Sequence, residues 1–294
     1  MRKIIPLLAF LIVGPAYGGN CKWVVAPTSV VLGSYSVFSS APLLAVSSYS
    51  FTCTPNTQGT LTFSTGSNST GYFPRYLSSA GGVKIPYNLY DDAATTIVIG
   101  NGSGGTTSRV VFNSEPKDKR FDDSVYGKVI QGADIPAGTY TDSVTAFLSW
   151  GNGSVSATIL VTTTVLAECT MSAAAVAFGN YDPVVANATA PLDSTGSIDV
   201  FCTKNTSATV SLGNGLWGTR RMRSPAGSFL NYGLFTDSGR SSSWLAAAPN
   251  VVSGSSTSKL VPIGNGLTVY GRVPGNQDPT AGVHSDTVQA TVNY

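Results

Sequence analysis

The sequence predicts an all-β protein built from two tandem, antiparallel β-sandwiches of the immunoglobulin-like type. Three observations carry this prediction. Apolar and polar residues alternate in short runs, these runs are separated by Gly, Asn, Ser and Pro, and one set of motifs occurs twice in the same order. Alternation with a period of two is typical of half-buried strands, and many short strands between turn signals favour a sandwich. No stretch has a convincing helical pattern.

The chain begins with a segment typical of a secretory signal. Met1–Gly18 has a basic start, an apolar core at Ile4–Val13 and a small-residue cleavage site at Ala16–Gly18. The apolar core has roughly half of the ~20 residues that a membrane-spanning helix needs. We therefore expect cleavage after Gly18 and an exported, soluble chain of about 275 residues, long enough for two domains.

Charge argues against a polyanionic ligand. Removing Arg2 and Lys3 takes the net charge from +2 to about zero, which leaves no electrostatic case for nucleic acid or anionic lipid. Charged residues make up 11% of the chain, against the usual ~25%.

The four cysteines predict two disulfides. An even number of cysteines in an exported chain favours disulfides, and four cysteines allow three pairings. The similar spacing within each repeat favours Cys21–Cys53 and Cys169–Cys202. Zinc ligands occur in closely spaced pairs, and the sequence has none.

Motifs repeat at an offset of 144 to 149 positions, which indicates a duplicated domain. The matching segments are Cys53–Thr57 with Cys202–Thr206, Arg75–Leu77 with Arg220–Met222, Tyr87–Asp92 with Tyr232–Asp237, Val125–Val129 with Val269–Val273, and Ala137–Val144 with Ala281–Val288. We expect a first domain at 19–166 and a second at 167–294. Representative strands are expected at Tyr49–Cys53, Thr60–Ser64, Ile97–Ile99 and Ser197–Cys202.

The two repeats differ at their ends. The first continues through a Gly-Asn-Gly turn into Ser154–Leu166, an alternating run rich in β-branched residues, whereas the second has no counterpart of that run. The second sandwich is therefore expected to lack its last strand. A groove should lie beside the strand Thr287–Tyr294, with the side chains of Val288, Ala290, Val292 and Tyr294 partly exposed in it.

The second repeat resembles the spore coat protein U domain family, the pilin-type subunits of archaic chaperone–usher pili. The resemblance is carried by Cys169, Phe178–Pro183, Cys202, Arg220-x-Met222, Asn231–Asp237, Tyr270–Arg272 and Ala281–Asp286. It covers nearly all of Cys169–Tyr294 and, more weakly, Cys21–Trp150. His284 departs from the pattern, since the family usually has Tyr there and the first repeat keeps it as Tyr140.

This resemblance implies an incomplete immunoglobulin-like subunit whose groove is filled by a chaperone strand in the periplasm and by a neighbouring pilin in the fibre. The predicted cleavage leaves two residues before Cys21, so the chain is expected to accept a strand without donating one. The implied function is that of a pilus-tip adhesin at the cell surface, with roles in surface attachment and biofilm formation. Its implied partners are a periplasmic chaperone, an outer-membrane usher and an adjacent pilin.

Candidate surface-binding residues are aromatic. Trp150 precedes a glycine-flanked turn, and a Trp there suits an apolar surface or a sugar face, although it could instead cap the core. Tyr72 and Phe73 are a second candidate, with a core strand edge as the alternative. Phe38 is a third. The target itself is not predicted.

No catalytic, cofactor-binding or metal-ligating residue is expected. His284 is the one histidine, it occupies a position that holds Tyr in the other repeat, and no Ser/His/Asp arrangement accompanies it. The pairs Asp91-Asp92 and Asp122-Asp123 lack the spaced oxygen ligands of a calcium loop. Two alternative functions stay open, a secreted carbohydrate-binding module and a surface-coat protein unrelated to pili.

Overall fold

The computed structural model describes residues 19–247 and 252–294, and the predicted signal Met1–Gly18 lies outside them. The all-β prediction is confirmed: apart from one 3-10 turn at Ile263–Asn265, the regular structure of the described residues is strand. None of their helical segments has the length and hydropathy for crossing a membrane.

The described residues divide into two compact units. Unit 1 comprises residues 19–33, 41–130 and 139–163, and unit 2 comprises residues 34–40, 131–138 and 164–294. Two short segments of the first repeat, 34–40 and 131–138, thus group with unit 2.

The first ten strands form one continuous sheet. They are β1 (Cys21–Val25), β2 (Ser29–Tyr35), β3 (Leu43–Cys53), β4 (Thr57–Phe63), β5 (Arg75–Ser78), β6 (Lys84–Tyr90), β7 (Arg109–Asn113), β8 (Lys119–Val129), β9 (Gly138–Trp150) and β10 (Gly153–Val165). Their order is β1-β3-β8-β6-β5-β9-β10-β2, and β4 bridges β7 and β9. The rings of Tyr49 on β3 and Phe63 on β4 lie 6.4 Å apart, so parts of the sheet that are not neighbours face each other across the core.

The alternation predicted for Ser154–Leu166 is present in β10. Val155, Ala157, Ile159, Val161 and Val165 are buried or half-buried, whereas the residues between them are mostly exposed. The two-residue turn Gly151-Asn152 joins β9 to β10, and Gly151 has a positive φ of 31°. Leu160 donates a backbone hydrogen bond to Thr28, and Leu166 donates one to Tyr35. β10 therefore pairs with β9 on one side and runs parallel to β2 on the other.

The remaining strands form three small sheets. They are β11 (Cys169–Ala174), β12 (Leu192–Cys202), β13 (Ser207–Leu212), β14 (Arg221–Arg223), β15 (Phe229–Asn231), β16 (Gly233–Phe235), β17 (Val252–Ser255), β18 (Leu267–Val273) and β19 (Ala290–Asn293). The sheet orders are β11-β12-β18-β16, β17-β13-β19 and β14-β15. The first two sheets share one core, to which Ile198, Val210 and Val269 contribute.

Both expected disulfides are present. Cys21–Cys53 joins β1 to β3, and Cys169–Cys202 joins β11 to β12. In each pair the two cysteines stand directly opposite each other in the antiparallel ladder.

Two predicted strands differ from the structure. Ile97–Ile99 forms isolated bridges, Val98 with Tyr90 and Ile99 with Thr107, rather than a strand. The last strand is shorter than Thr287–Tyr294, because regular pairing with β13 covers only Ala290–Asn293.

Candidate functional site: an open cleft in unit 2

The edge of β19 defines one side of the candidate site. In the described residues β19 pairs only with β13, so its other edge has no partner strand. β11 likewise pairs only with β12. Each unpaired edge presents a row of backbone donors and acceptors that can hydrogen-bond to an added strand.

A cleft lies between these two strands, within unit 2. Its central part has a volume of about 370 Å³ and is bordered by residues 173–176 on one side and by Thr287, Val288 and Ala290 on the other. The floor is apolar and includes Ile198, Leu212, Leu234 and Val269. A second part, the His284 end of the cleft, has a volume of about 560 Å³ and shares Val176, Phe178 and Met222 with the central part.

The first repeat provides an internal reference for this cleft. Val144, Ala146 and Leu148 on β9 are 0% exposed, and β9 is covered by β10. The residues at the same repeat positions in unit 2, namely Val288, Ala290 and Val292, are only half-buried. The two units thus have apolar side chains at the same repeat positions. Those of unit 1 are more buried because β10 lies beside β9.

Of the residues predicted for the groove, Val288 and Ala290 line the cleft, and Val292 packs against the same core. Tyr294 does not line it. Its side chain is 60% exposed and lies beside Ser207–Thr209. Tyr294 follows the last residue of β19 and is not among the residues that line the cleft, so its place in the groove stays a prediction.

The opposite edge is exposed on both faces. Residues 170–175, which include all of β11 after Cys169, are exposed, although a strand in a sandwich normally buries alternate residues. Ala173 and Ala174 line the central part of the cleft. The small side chains on this edge leave the floor open.

A polar network, buried in the first repeat and partly buried in the second, underlies the same region in each repeat. Tyr87 donates a hydrogen bond to Asp142 Oδ2 at 2.6 Å, and Tyr232 donates to Asp286 Oδ2 at 2.7 Å. Burial is the largest cause that raises the pKa of Tyr87 and of Tyr232, and the adjacent carboxylate adds to it. Each tyrosine therefore stays protonated and holds the carboxylate in place by its hydrogen bond. In each repeat this carboxylate lies two residues before the valine of the last repeated strand, Val144 under β10 in unit 1 and Val288 at the open cleft in unit 2.

The networks differ at one arginine. Arg75 is fully buried, and its Nη1 donates to Asn88 Oδ1 at 2.6 Å. At the repeat position of Asn88 the second unit has Gly233, and the buried Nη1 of Arg220 has no hydrogen-bond partner in the described residues. Burial lowers the pKa of both arginines. At this arginine, therefore, fewer hydrogen-bond donors are satisfied in unit 2 than in unit 1.

The candidate surface residues are distributed over both units. Phe73 is 57% exposed and packs next to Gly105. Tyr72 is half-buried, and its hydroxyl donates to the Phe63 carbonyl at 3.0 Å. Trp150 is half-buried at the end of β9, with its indole close above Gly153. Phe38 is half-buried, in the segment that groups with unit 2.

Within the described residues, His284 lies against a backbone carbonyl. Its Nδ1 lies 3.1 Å from the Gly282 carbonyl, and its Nε2 is buried without a hydrogen-bond partner in the described residues. Within residues 19–247 and 252–294, no group of three His, Cys, Asp or Glu side chains could hold a metal ion.

Sequence reasoning missed the network residues. Arg75, Tyr87 and Asp142 occur in repeated motifs, and that repetition was the available signal. Their roles depend on partners far apart in the chain, such as the 55 positions between Tyr87 and Asp142.

Comparison with known proteins identifies the family. The model of the Spore Coat Protein U domain matches residues 8–147 and 155–291, so it covers both repeats. The chain belongs to the Spore Coat Protein U domain family. The family predicted from the sequence, strongly for the second repeat and more weakly for the first, is confirmed for both repeats.

A curated relative and two solved structures are similar to the chain. Protein U of Myxococcus xanthus is 36% identical over 134 residues, which cover 40% of this chain and 70% of that protein. A chain of the CsuC–CsuE chaperone–tip adhesion subunit pre-assembly complex, from archaic chaperone–usher Csu pili of Acinetobacter baumannii, is 17% identical with a TM-score of 0.52. The match covers 94% of this chain and 100% of that one. The CupB6 tip adhesin of Pseudomonas aeruginosa is 10% identical with a TM-score of 0.37, over 94% of this chain and 95% of that one.

Proposed function

We propose that this protein is the tip adhesin of an archaic chaperone–usher pilus and that unit 2 accepts a β-strand from another chain. The main support is the open cleft. The side chains that β10 covers in unit 1 have counterparts at the same repeat positions in unit 2, and those counterparts are only half-buried. Two unpaired strand edges flank that apolar floor, which is the arrangement that strand addition requires.

The proposed partners follow from the cleft and the family. A periplasmic chaperone supplies the strand first, and an adjacent pilin replaces it when an outer-membrane usher adds the subunit to the fibre. Membership of the Spore Coat Protein U domain family supports this sequence of partners, and so does the fold shared with a chain of a chaperone–tip subunit complex. The exported, surface-displayed location follows from the same assembly.

In this proposal the chain comprises a self-completed adhesive domain, 19–166, and a pilin-type domain, 167–294. Unit 1 needs no added strand because β10 already covers β9. It is therefore free to make the contact that supports attachment and biofilm formation. Family and fold are those of structural and adhesive pilus subunits rather than enzymes, and we assign no catalytic role.

Thermal unfolding of a chain with an appended strand tests the open cleft. The residues Gly151–Leu166 are placed again after Tyr294, so that the turn and β10 follow β19 as they follow β9. We expect unit 2 to gain at least about 10 °C, because each kcal/mol is worth about 3–5 °C for a domain of this size. The control has the same length, with Ser at the inward positions of the added strand. An equal gain from both chains, or none from either, contradicts strand acceptance.

Attachment is tested with Phe73 and Trp150. Phe73→Ala should lower adhesion of piliated cells to apolar surfaces, because this ring is largely exposed and apolar contact area drives such binding. Trp150→Ala should lower adhesion less, because its indole already packs on Gly153. Pilus assembly and thermal stability serve as controls. Unchanged adhesion in the Phe73 variant removes that residue from the contact surface.

A further inference from the structure

The two repeats differ at one end of the strand-accepting region. Tyr140 in unit 1 is 1% exposed, so its phenol ring fills the space at that end. His284 occupies the same motif position in unit 2, remains partly exposed, and lines the part of the cleft with a volume of about 560 Å³. An imidazole is smaller than a phenol ring, so the exchange leaves space that unit 1 does not have.

The covering strand of unit 1 identifies the side chain that belongs at this place. Counting back from the Gly151-Asn152 turn, Tyr140 stands opposite Thr163 in the hairpin of β9 and β10. Thr163 is 2% exposed, and its hydroxyl donates to the Gly33 carbonyl at 2.9 Å. In unit 1, therefore, a side chain as small as that of Thr163 fills the space between Gly33 and Tyr140.

The same two boundaries exist in unit 2. The motif Leu32–Tyr35 matches Phe178–Tyr181, so Gly179 corresponds to Gly33. Gly179 and His284 both line the His284 end of the cleft. The residue of an added strand that corresponds to Thr163 must therefore point into this space.

The surrounding side chains favour an apolar occupant. Phe178, Leu192, Met222, Leu230 and Val273 line the same space. A threonine would leave much of it to water, so the apolar lining would stay hydrated. A large apolar side chain would fill it and would itself leave water.

We propose that His284 makes the cleft selective for a strand that carries a large apolar residue, such as Phe, at the position corresponding to Thr163. This selectivity rests on the proposed acceptance of a strand. It distinguishes unit 2 from unit 1, where Tyr140 occupies the space and Thr163 is the fitting residue. His284 acts here as a specificity-determining residue, because its side chain is smaller than that of Tyr140 and leaves space for a side chain of the added strand.

Competition between two peptides tests this selectivity. Both have the sequence of Gly153–Leu166, one with Thr163→Phe and one with Thr164→Phe, so they share composition and differ only in whether Phe faces inward or outward. One peptide is isotopically labelled. An equimolar mixture is incubated with the full chain, and the captured ratio is measured by native mass spectrometry. The unsubstituted peptide, tested alone, reports strand acceptance itself.

We expect the Thr163→Phe peptide to be captured in about tenfold excess or more, since tenfold corresponds to only 1.4 kcal/mol and burying a Phe side chain exceeds that. In the His284→Tyr chain the excess should fall to about twofold or less, because the added ring refills the space. Equal capture of the two Phe-containing peptides by the chain that keeps His284 overturns the proposal, whatever the His284→Tyr chain does.

The remaining outcomes are also decisive. An excess that persists in the His284→Tyr chain shows that His284 does not set the selectivity, and the proposal fails. If no peptide is captured, including the unsubstituted one, strand acceptance itself fails and the selectivity fails with it. The His284→Phe chain provides a second variant should His284→Tyr fold poorly, and it should lose the excess in the same way.

Discussion

Replacing two matched valines by alanine tests whether Val288 is more exposed than Val144 because no strand equivalent to β10 covers it in the described residues of unit 2. Val144 and Val288 occupy the same repeat position, but Val144 is 0% exposed and Val288 is half-buried. Val→Ala removes two carbon groups, each worth about 0.8 kcal/mol when buried. The cavity left in a closed core adds to this loss, so Val144→Ala should cost about 2–3 kcal/mol. Val288→Ala should cost about 1 kcal/mol or less, since its surroundings already reach solvent.

The decisive comparison adds a covering strand. In the chain that carries Gly151–Leu166 after Tyr294, the cost of Val288→Ala should rise to about 2–3 kcal/mol, as for Val144→Ala. Hydrogen exchange read by mass spectrometry gives an opening free energy for each unit separately, from peptides covering β4 and β13. A covering strand does not explain the difference if Val288→Ala costs as much as Val144→Ala in the chain without the added strand, or if the cost of Val288→Ala does not rise when the strand is added.

Three further predictions concern stability. Asn88→Ala should cost about 2–3 kcal/mol in urea unfolding, because a buried guanidinium loses its acceptor; a cost near zero would show that another group replaces it. Reducing Cys169–Cys202 should cost about 3 kcal/mol by the loop-closure estimate, measured by unfolding with and without reductant, and an unchanged midpoint would contradict it. The hydrogen bonds from Arg272 lower the pKa of Asp193 in the folded protein. The ionised Asp193 therefore stabilises the fold fully above its unfolded pKa of about 3.9, and this contribution is lost as the pH falls through its lower folded pKa. Asp193→Asn should therefore flatten the acid limb of the stability curve, and an unaltered limb would exclude this pair as its cause.

Much of the fold could be predicted because its determinants are local or repeated. The alternation in Ser154–Leu166 and the spacing of the cysteines require no knowledge of distant contacts. Two repeats also allow each to serve as the reference for the other. That is why comparison of the two repeats predicted an open groove beside the last strand of the second, where the described residues of unit 2 place the cleft.

The rest depends on contacts that sequence patterns do not encode. Ile97–Ile99 has strand-like residues, yet the chain there forms only isolated bridges, and the carbonyl of Ile99 accepts a hydrogen bond from Arg75. Tyr72 stays a candidate for surface contact, and its hydroxyl donates a hydrogen bond to the Phe63 carbonyl, which the sequence did not predict. Both hydrogen bonds depend on where a backbone carbonyl lies after folding, which neither periodicity nor composition specifies.

The two-residue turn between β9 and β10 also bears on how copies of the protein behave together. A strand tethered this closely has an effective concentration at its own partner of at least about the millimolar range. A second copy in solution rarely competes with that, so β10 seldom leaves unit 1 to enter the cleft of another molecule. Head-to-tail exchange of this kind would not close on itself and would produce open-ended chains. The short turn thus disfavours exchange of β10 between copies, and under the proposed function it keeps the cleft of unit 2 open to a strand from a different protein.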